Sequence, residues 1–155
     1  MYLPTFAFPL RRMLNTQQTR HVPALSFDRV FRRTYIAFMS EYERQIKAGR
    51  IVPGMSFNEK VWALTARIPA GKVTTYRHVA EALKSKGYRA VGNALNRNPY
   101  APAVPCHRVV GSNGALTGFA GGLAKKKKLL TEEGVRLTTG GPGKCRADVS
   151  DAVRL

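Results

Sequence analysis

A chain of 155 residues with 44% hydrophobic content is long enough for one ordinary domain with a core, plus a small appendage. Lys and Arg number 26 against 9 Asp and Glu, a formal charge of +17, so the expected partner is a polyanion: nucleic acid first, an acidic membrane surface second. Two cysteines argue against a disulfide scaffold, the scattered histidines against a structural zinc site, and the lack of an apolar run of about 18 residues against a membrane span.

Residues 1–25 carry Pro4, Pro9 and Pro23, the basic residues Arg11, Arg12, Arg20 and His21, and no acidic residue before Asp28. An organelle (mitochondrial) transit peptide shares that composition. The prolines interrupt any amphipathic helix, however, so the segment reads as an irregular basic arm. The expected compartment is the cytoplasm and nucleoid, or the nucleus. Residues 26–55 read as one helix and a linker. Ser26 offers an N-cap, Phe27, Val30, Phe31, Tyr35, Phe38, Met39, Tyr42 and Ile46 follow at helical spacing, and Gly49 supplies the stop. Pro53-Gly54 marks the linker.

Ser56-Phe57-Asn58-Glu59 is a capping box that opens a helix over 57–67, with Val61, Leu64 and Ile68 facing the core. Pro69-Ala70-Gly71 ends it, and Lys72-Val73-Thr74 is extended. Thr75 caps a third helix, from Tyr76 to about Lys84, with Val79, Ala80 and Leu83 inward. After the break at 85–87, residues 89–96 form a short helix ended by Asn98-Pro99. Helix, tight turn, helix is the helix-turn-helix arrangement, with a plain αα-hairpin as the alternative. Small residues at Ala90, Gly92 and Ala94, flanked by Arg89 and Arg97, favour close approach to a duplex.

Residues 102–110 read as extended around Pro105-Cys106-His107-Arg108, which places a thiol beside an imidazole and a guanidinium. Positive charge or a base nearby favours the nucleophilic thiolate. In an extended segment neighbouring side chains point to opposite faces, so His107 need not touch Cys106. A glycine-containing loop over 117–122 surrounds Phe119. A last helix runs from about Leu123 to Glu133, with Lys125 to Lys128 read mostly as a solvated or phosphate-facing surface. Residues 138–155 read as a disordered tail in which Cys145 is incidental. The fold class is mainly α with short extended segments.

From Ser56 to Val135 the chain resembles the O6-alkylguanine-DNA alkyltransferase family, the methylated-DNA–protein-cysteine methyltransferases. The elements that carry the resemblance are Gly-Lys-Val-Thr-Thr-Tyr at 71–76, Arg-Ala-Val-Gly-Asn-Ala-Leu at 89–95, Asn98-Pro99, Pro-Cys-His-Arg-Val at 105–109, Gly121-Gly122-Leu123 and Glu133-Gly134. The resemblance implies a winged-helix-like helix-turn-helix alkyltransferase domain over 56–137. It would repair DNA by irreversible, single-turnover transfer of an alkyl group from O6-alkylguanine, with O4-alkylthymine as a further candidate, to Cys106.

The same resemblance assigns roles. His107 would take the thiol proton through a water, Glu133 would orient His107, Tyr76 would donate a proton to the leaving base, and Asn98 would link the recognition helix to the active segment. Arg89 would fill the gap left by the flipped guanine, and Ala90, Gly92, Asn93, Ala94 and Arg97, with Thr75 and Tyr76, would face DNA. Pro105, Val109, Phe119, Ala120 and Gly121 would line the base pocket, with the carbonyls of Cys106 and Val109 accepting from the guanine amine. The implied partner is double-stranded DNA carrying O6-alkylguanine, bound by a monomer with no metal, cofactor or membrane. The short region before Ser56, Phe119 in place of Tyr and Ala120 in place of Ser depart from the family pattern. Two rivals stay open: alkyltransferase-like proteins, which bind the lesion without the acceptor cysteine, and a cysteine hydrolase.

Overall fold

The computed structural model describes residues 37, 39–139 and 145–155; the expected arm over 1–25 and the start of the helix expected from Ser26 lie outside the described residues. The chain divides into two units, Met1–Glu41 and Tyr42–Leu155. In the first, residues 37 and 39–41 are helical. The second opens with helical residues 42–47 (α1), ended by Gly49 at φ 71°. Ile46 is fully buried there, against Met55, Ala63 and Val104.

Helix α2, Phe57–Ala66, begins as the sequence predicts. The Ser56 amide donates to Glu59 Oε2 at 2.7 Å and the Glu59 amide donates to Ser56 Oγ at 3.4 Å, so two otherwise unpaired donors are satisfied at once. Val61, Leu64 and Ile68 face the core. Gly71 then turns the chain at φ 76°, where an added Cβ would lie 2.9 Å from the Glu133 carbonyl; both the conformation and the space demand glycine. The short strand β1, Thr74–Thr75, leads straight into α3, Tyr76–Ala82, whose cap is Thr75 Oγ1 accepting from the His78 amide at 3.1 Å. A tight turn leads to α4, Tyr88–Asn96.

Helices α2, α3 and α4 close on one cluster that includes Val61, Leu64, Val79, Val91, Ala94 and Leu95. Each of the Val and Leu side chains, fully withdrawn from water, contributes roughly 1.5–3 kcal/mol before chain entropy is set against it. The Trp62 indole N–H donates 2.8 Å to the Ala94 carbonyl and fixes α4 on α2. The recognition-helix candidate α4 is thereby held from behind and leaves Arg89, Ala90, Asn93 and Arg97 exposed. Ala94 departs from the expectation that it faces DNA: its relative exposure is 0%, because it sits on the packed face of α4 with Val91 and Leu95. Thr75 departs too, being buried as the α3 cap.

Beyond α4, a 3₁₀ turn over Cys106–Arg108 runs into β2, Val109–Val110, which pairs in parallel with β1 in the register Thr74–Val109 and Thr75–Val110. Helix α5, Leu123–Glu132, follows and stops at Gly134, φ 78°. The fold class matches the expectation, mostly helical with short strands. Among the described residues no helix is long and apolar enough to cross a membrane.

The end of the chain is a correction. Residues 140–144 lie outside the described residues, but β3, Leu137–Thr139, pairs antiparallel with β4, Cys145–Ala147. The Val153 amide donates to Val73 O at 2.9 Å, Thr74 Oγ1 donates to Val153 O at 2.6 Å, and Ala147 is buried beside Val110 and Leu130. This segment lacks a long apolar stripe of its own. It gains order by completing backbone hydrogen bonds that β1 and the Gly114 turn leave open.

Gly114 tests that docking. It holds φ 77°, and a Cβ there would collide with the Ala147 carbonyl; Gly134 holds a similar φ with open space around it. Gly134→Ala should cost only the left-handed conformation, about 1–2 kcal/mol. Gly114→Ala should cost about 1–3 kcal/mol more, from the added clash. Urea denaturation of the two variants measures the difference, and equal costs would mean that β4 is not seated on the Gly114 turn.

Candidate active site

Pro105 precedes Cys106 and starts the turn that presents the thiol. The segment is a 3₁₀ turn rather than the extended run expected, closed by the Cys106 amide on Val104 O at 2.9 Å and the Arg108 amide on Pro105 O at 3.0 Å. Asn98 holds its approach: the side-chain amide donates to Val104 O at 2.9 Å and the carboxamide oxygen accepts from the Tyr100 amide at 2.9 Å. The residue just past α4 is thus bonded to the segment just before the thiol.

His107 is buried, and its Nε2 lies 2.9 Å from Glu133 Oε1. Arg108, which sequence reading left without a partner, grips the same carboxylate with both arms of its fork: Nε donates to Oε2 at 2.9 Å and Nη2 to Oε1 at 2.7 Å. Its remaining arm, Nη1, donates to Ile68 O at 2.6 Å. Burial opposes the charge on Glu133, but the hydrogen bonds and positive charge of Arg108 and His107 outweigh it and hold the carboxyl down at about 2. A carboxylate can only accept, so a neutral His107 donates from Nε2 and keeps Nδ1 as its proton acceptor. Glu132, one residue away, is exposed to solvent and pairs with Lys128 at 3.8 Å.

Cys106 lies in the wall of a cavity of about 430 Å³ between α4 and the 117–120 loop, with Tyr76 and Arg89 also at its surface. The Phe119 ring meets His107 edge-on, 6.5 Å between centroids. The Tyr76 hydroxyl donates to Thr117 O at 3.2 Å. Burial raises the Tyr76 phenol, against a smaller lowering by the Thr117 side chain and with a further rise from its electrostatic interaction with Cys106, so the phenol keeps its proton at neutral pH.

Of the expected base-pocket residues, Phe119 and Ala120 line the cavity. Pro105 is buried instead at the start of the 3₁₀ turn, Val109 is buried in the β1–β2 pairing, and Gly121 is exposed just beyond Ala120. Arg89, Gly92 and Asn93 line the cavity from α4; Arg97 lies outside it, exposed at the helix end. Sequence reading missed Tyr88, Leu95, Asn96, Thr117 and Gly118, which also line it. It missed Lys126 as well, which is fully buried instead of solvated. The spacing of Lys126 and Leu130, four residues apart on one helix face, was the available signal. Among the described residues no group of three or more His, Cys, Asp or Glu side chains is placed to hold a metal ion.

Residues 56–135 match the family described as 6-O-methylguanine DNA methyltransferase, DNA binding domain. The methylated-DNA–protein-cysteine methyltransferase of Methanosarcina mazei is 51% identical over 81 residues, 52% of this chain and 51% of that protein. The chain spans about half the length of the curated relatives it matches. Two solved structures share the fold: S. pombe ATL in complex with DNA, with TM-score 0.57 and 30% identity over 63% of this chain and 93% of that one, and Mycobacterium tuberculosis OGT in complex with DNA, with TM-score 0.50 and 34% identity over 63% and 66%.

The Glu133 cluster gives a pH signature. A carboxyl held below its unfolded value contributes stability that is complete above the unfolded value, near pH 4–5, and is lost as pH falls toward about 2. Glu133→Gln should remove that acid-side dependence and lower stability at pH 7 by about 2 kcal/mol, because Arg108 loses its paired charge. Glu132→Gln should stay within about 0.5 kcal/mol. Urea denaturation between pH 3 and 7 measures both; equal effects from the two variants would contradict the assignment.

Proposed function

Since the chain belongs to the 6-O-methylguanine DNA methyltransferase family by the match over residues 56–135, we propose that it repairs DNA by transferring an alkyl group from O6-alkylguanine to Cys106. The observation that carries this reading is the thiol in a cavity wall, on a turn whose next residue, His107, is backed by an ionised Glu133. The cavity sits against α4, and the exposure of Arg89, Asn93 and Arg97 on that helix supports a duplex-facing role.

The chemistry requires an extruded base, because a stacked guanine hides its alkyl carbon from any thiolate. Arg89, at the start of α4 and at the cavity mouth, would occupy the vacated space. Cys106 passes its proton through a water to His107 Nδ1, and Glu133 stabilises the resulting imidazolium. The sulfur then bonds to the alkyl carbon while the carbon–O6 bond breaks and its electron pair goes to guanine. The departing base takes a proton from the Tyr76 phenol, which is recovered from the imidazolium through solvent. The product is a thioether, which water does not cleave, so each molecule reacts once. O4-alkylthymine presents the same type of carbon and is the second candidate substrate.

A binding-only role is the second reading, favoured by the 93% coverage of the S. pombe ATL chain. Cys106 in the cavity wall argues against it. Intact-mass measurement after mixing with excess O6-methylguanine duplex separates the two. The expected result is a gain of one methyl group per chain, mapped to Cys106, with Cys106→Ser still binding the duplex but gaining nothing. No gain of mass would leave the binding reading in place, and methylation at Cys145 or repeated turnover would reject the mechanism.

A further inference from the structure

Lys126 is the largest fully buried side chain among the described residues, and the mechanism above leaves it unused. Its ammonium donates to Val109 O at 2.7 Å and to Thr117 O at 2.9 Å. No carboxylate among the described residues pairs with it. A buried, unpaired charge is costly unless its surroundings favour it. Burial accordingly pulls Lys126 down to about 8, while an electrostatic interaction with Cys106 pulls the other way. The amine therefore remains mostly protonated at pH 7.

Its two acceptors lie on the two segments that meet at the cavity. Val109 directly follows the turn that carries Cys106, and Thr117 starts the loop that carries Phe119 and Ala120. The Thr117 carbonyl also accepts from the Tyr76 hydroxyl at 3.2 Å, and the ammonium lies 5.9 Å from the centre of the Tyr76 ring. Other charged or titratable groups around Cys106 are Tyr76 from α3, Tyr88 and Arg89 from α4, and His107 and Arg108 from its own turn, both bonded to Glu133 at the end of α5. The Arg108 charge is largely spent on Glu133.

We propose that Lys126 is a positioning residue of the transfer site: its buried ammonium ties the Cys106 turn to the 117–120 loop and supplies, at neutral pH, a positive charge that favours the Cys106 thiolate. The inference rests on the alkyl-transfer reading for its purpose, but its test needs neither DNA nor an alkylated base.

The test follows the rate of Cys106 alkylation by iodoacetamide against pH, in a Cys145→Ser background so that only one thiol reacts. Lys126→Met and Lys126→Gln, which remove the charge, should move the midpoint up by about one pH unit. Lys126→Arg keeps the charge and should hold the midpoint. Gln retains a donor for the carbonyls, so a Gln variant that melts like the parent but titrates at the parent's midpoint would overturn the proposal. If Met lowers the melting temperature below the assay range, the Gln and Arg pair decides, and equal midpoints for those two likewise overturn it. A protein that failed to repair DNA would still give this answer, so the two readings fail separately.

Discussion

The Glu133 carboxylate holds the site together. It stands where α5 ends, accepts from His107 and from both arms of the Arg108 fork, and through Arg108 reaches the carbonyl of Ile68 at the end of α2. Three segments far apart in sequence are thus joined at one ionised group. Paired charges of this kind, mostly shielded from water, are stronger than surface ion pairs and costly to break singly. Gly71 presses against the Glu133 carbonyl from the β1 side, so the backbone of the same residue is also fixed. An imidazole oriented this firmly has one nitrogen committed and the other available, which is the condition a proton-accepting base must meet.

In the proposed reaction the same core would serve both DNA docking and chemistry. Thr75 caps α3 and belongs to β1, which pairs with the strand directly after Cys106. Asn98, just past α4, bonds to Val104, two residues before the thiol. A displacement of α4 on a duplex would therefore be felt at the Cys106 turn without any intervening flexible linker. This rigid coupling suits a reaction that needs the base, the thiol and the proton acceptor aligned at once.

Much of this was legible in the sequence where a local rule has a local cause. The Ser56–Glu59 box, the Thr75 cap, the stop at Gly134 and the inward positions Val61, Leu64, Val79 and Ala80 all follow from hydrogen-bond or periodicity requirements within a few residues. The Cys106-His107 and Glu133 positions were legible through family resemblance, and their 2.9 Å contact required the folded chain. What escaped depends on distant partners. Lys126 sits in a run of four lysines, and only helical phase with Leu130 distinguishes it from its exposed neighbours. The grip of Arg108 spans 25 residues, and the order of residues 145–155 comes from hydrogen bonds to Val73, Thr74 and Gly114. Ala94 looked like a small DNA-facing residue, but the Trp62 side of α4 claims it.

The central claim, that His107 and Glu133 act on Cys106 as one unit, is tested most directly by a double-mutant cycle on the single-turnover transfer rate. His107→Ala, Glu133→Gln and the double variant are compared on O6-methylguanine duplex, with folding measured separately. If the carboxylate works through the imidazole, the double variant should be little slower than His107→Ala alone. Losses that add fully, with the double variant slowed by the product of the two single effects, would contradict the account.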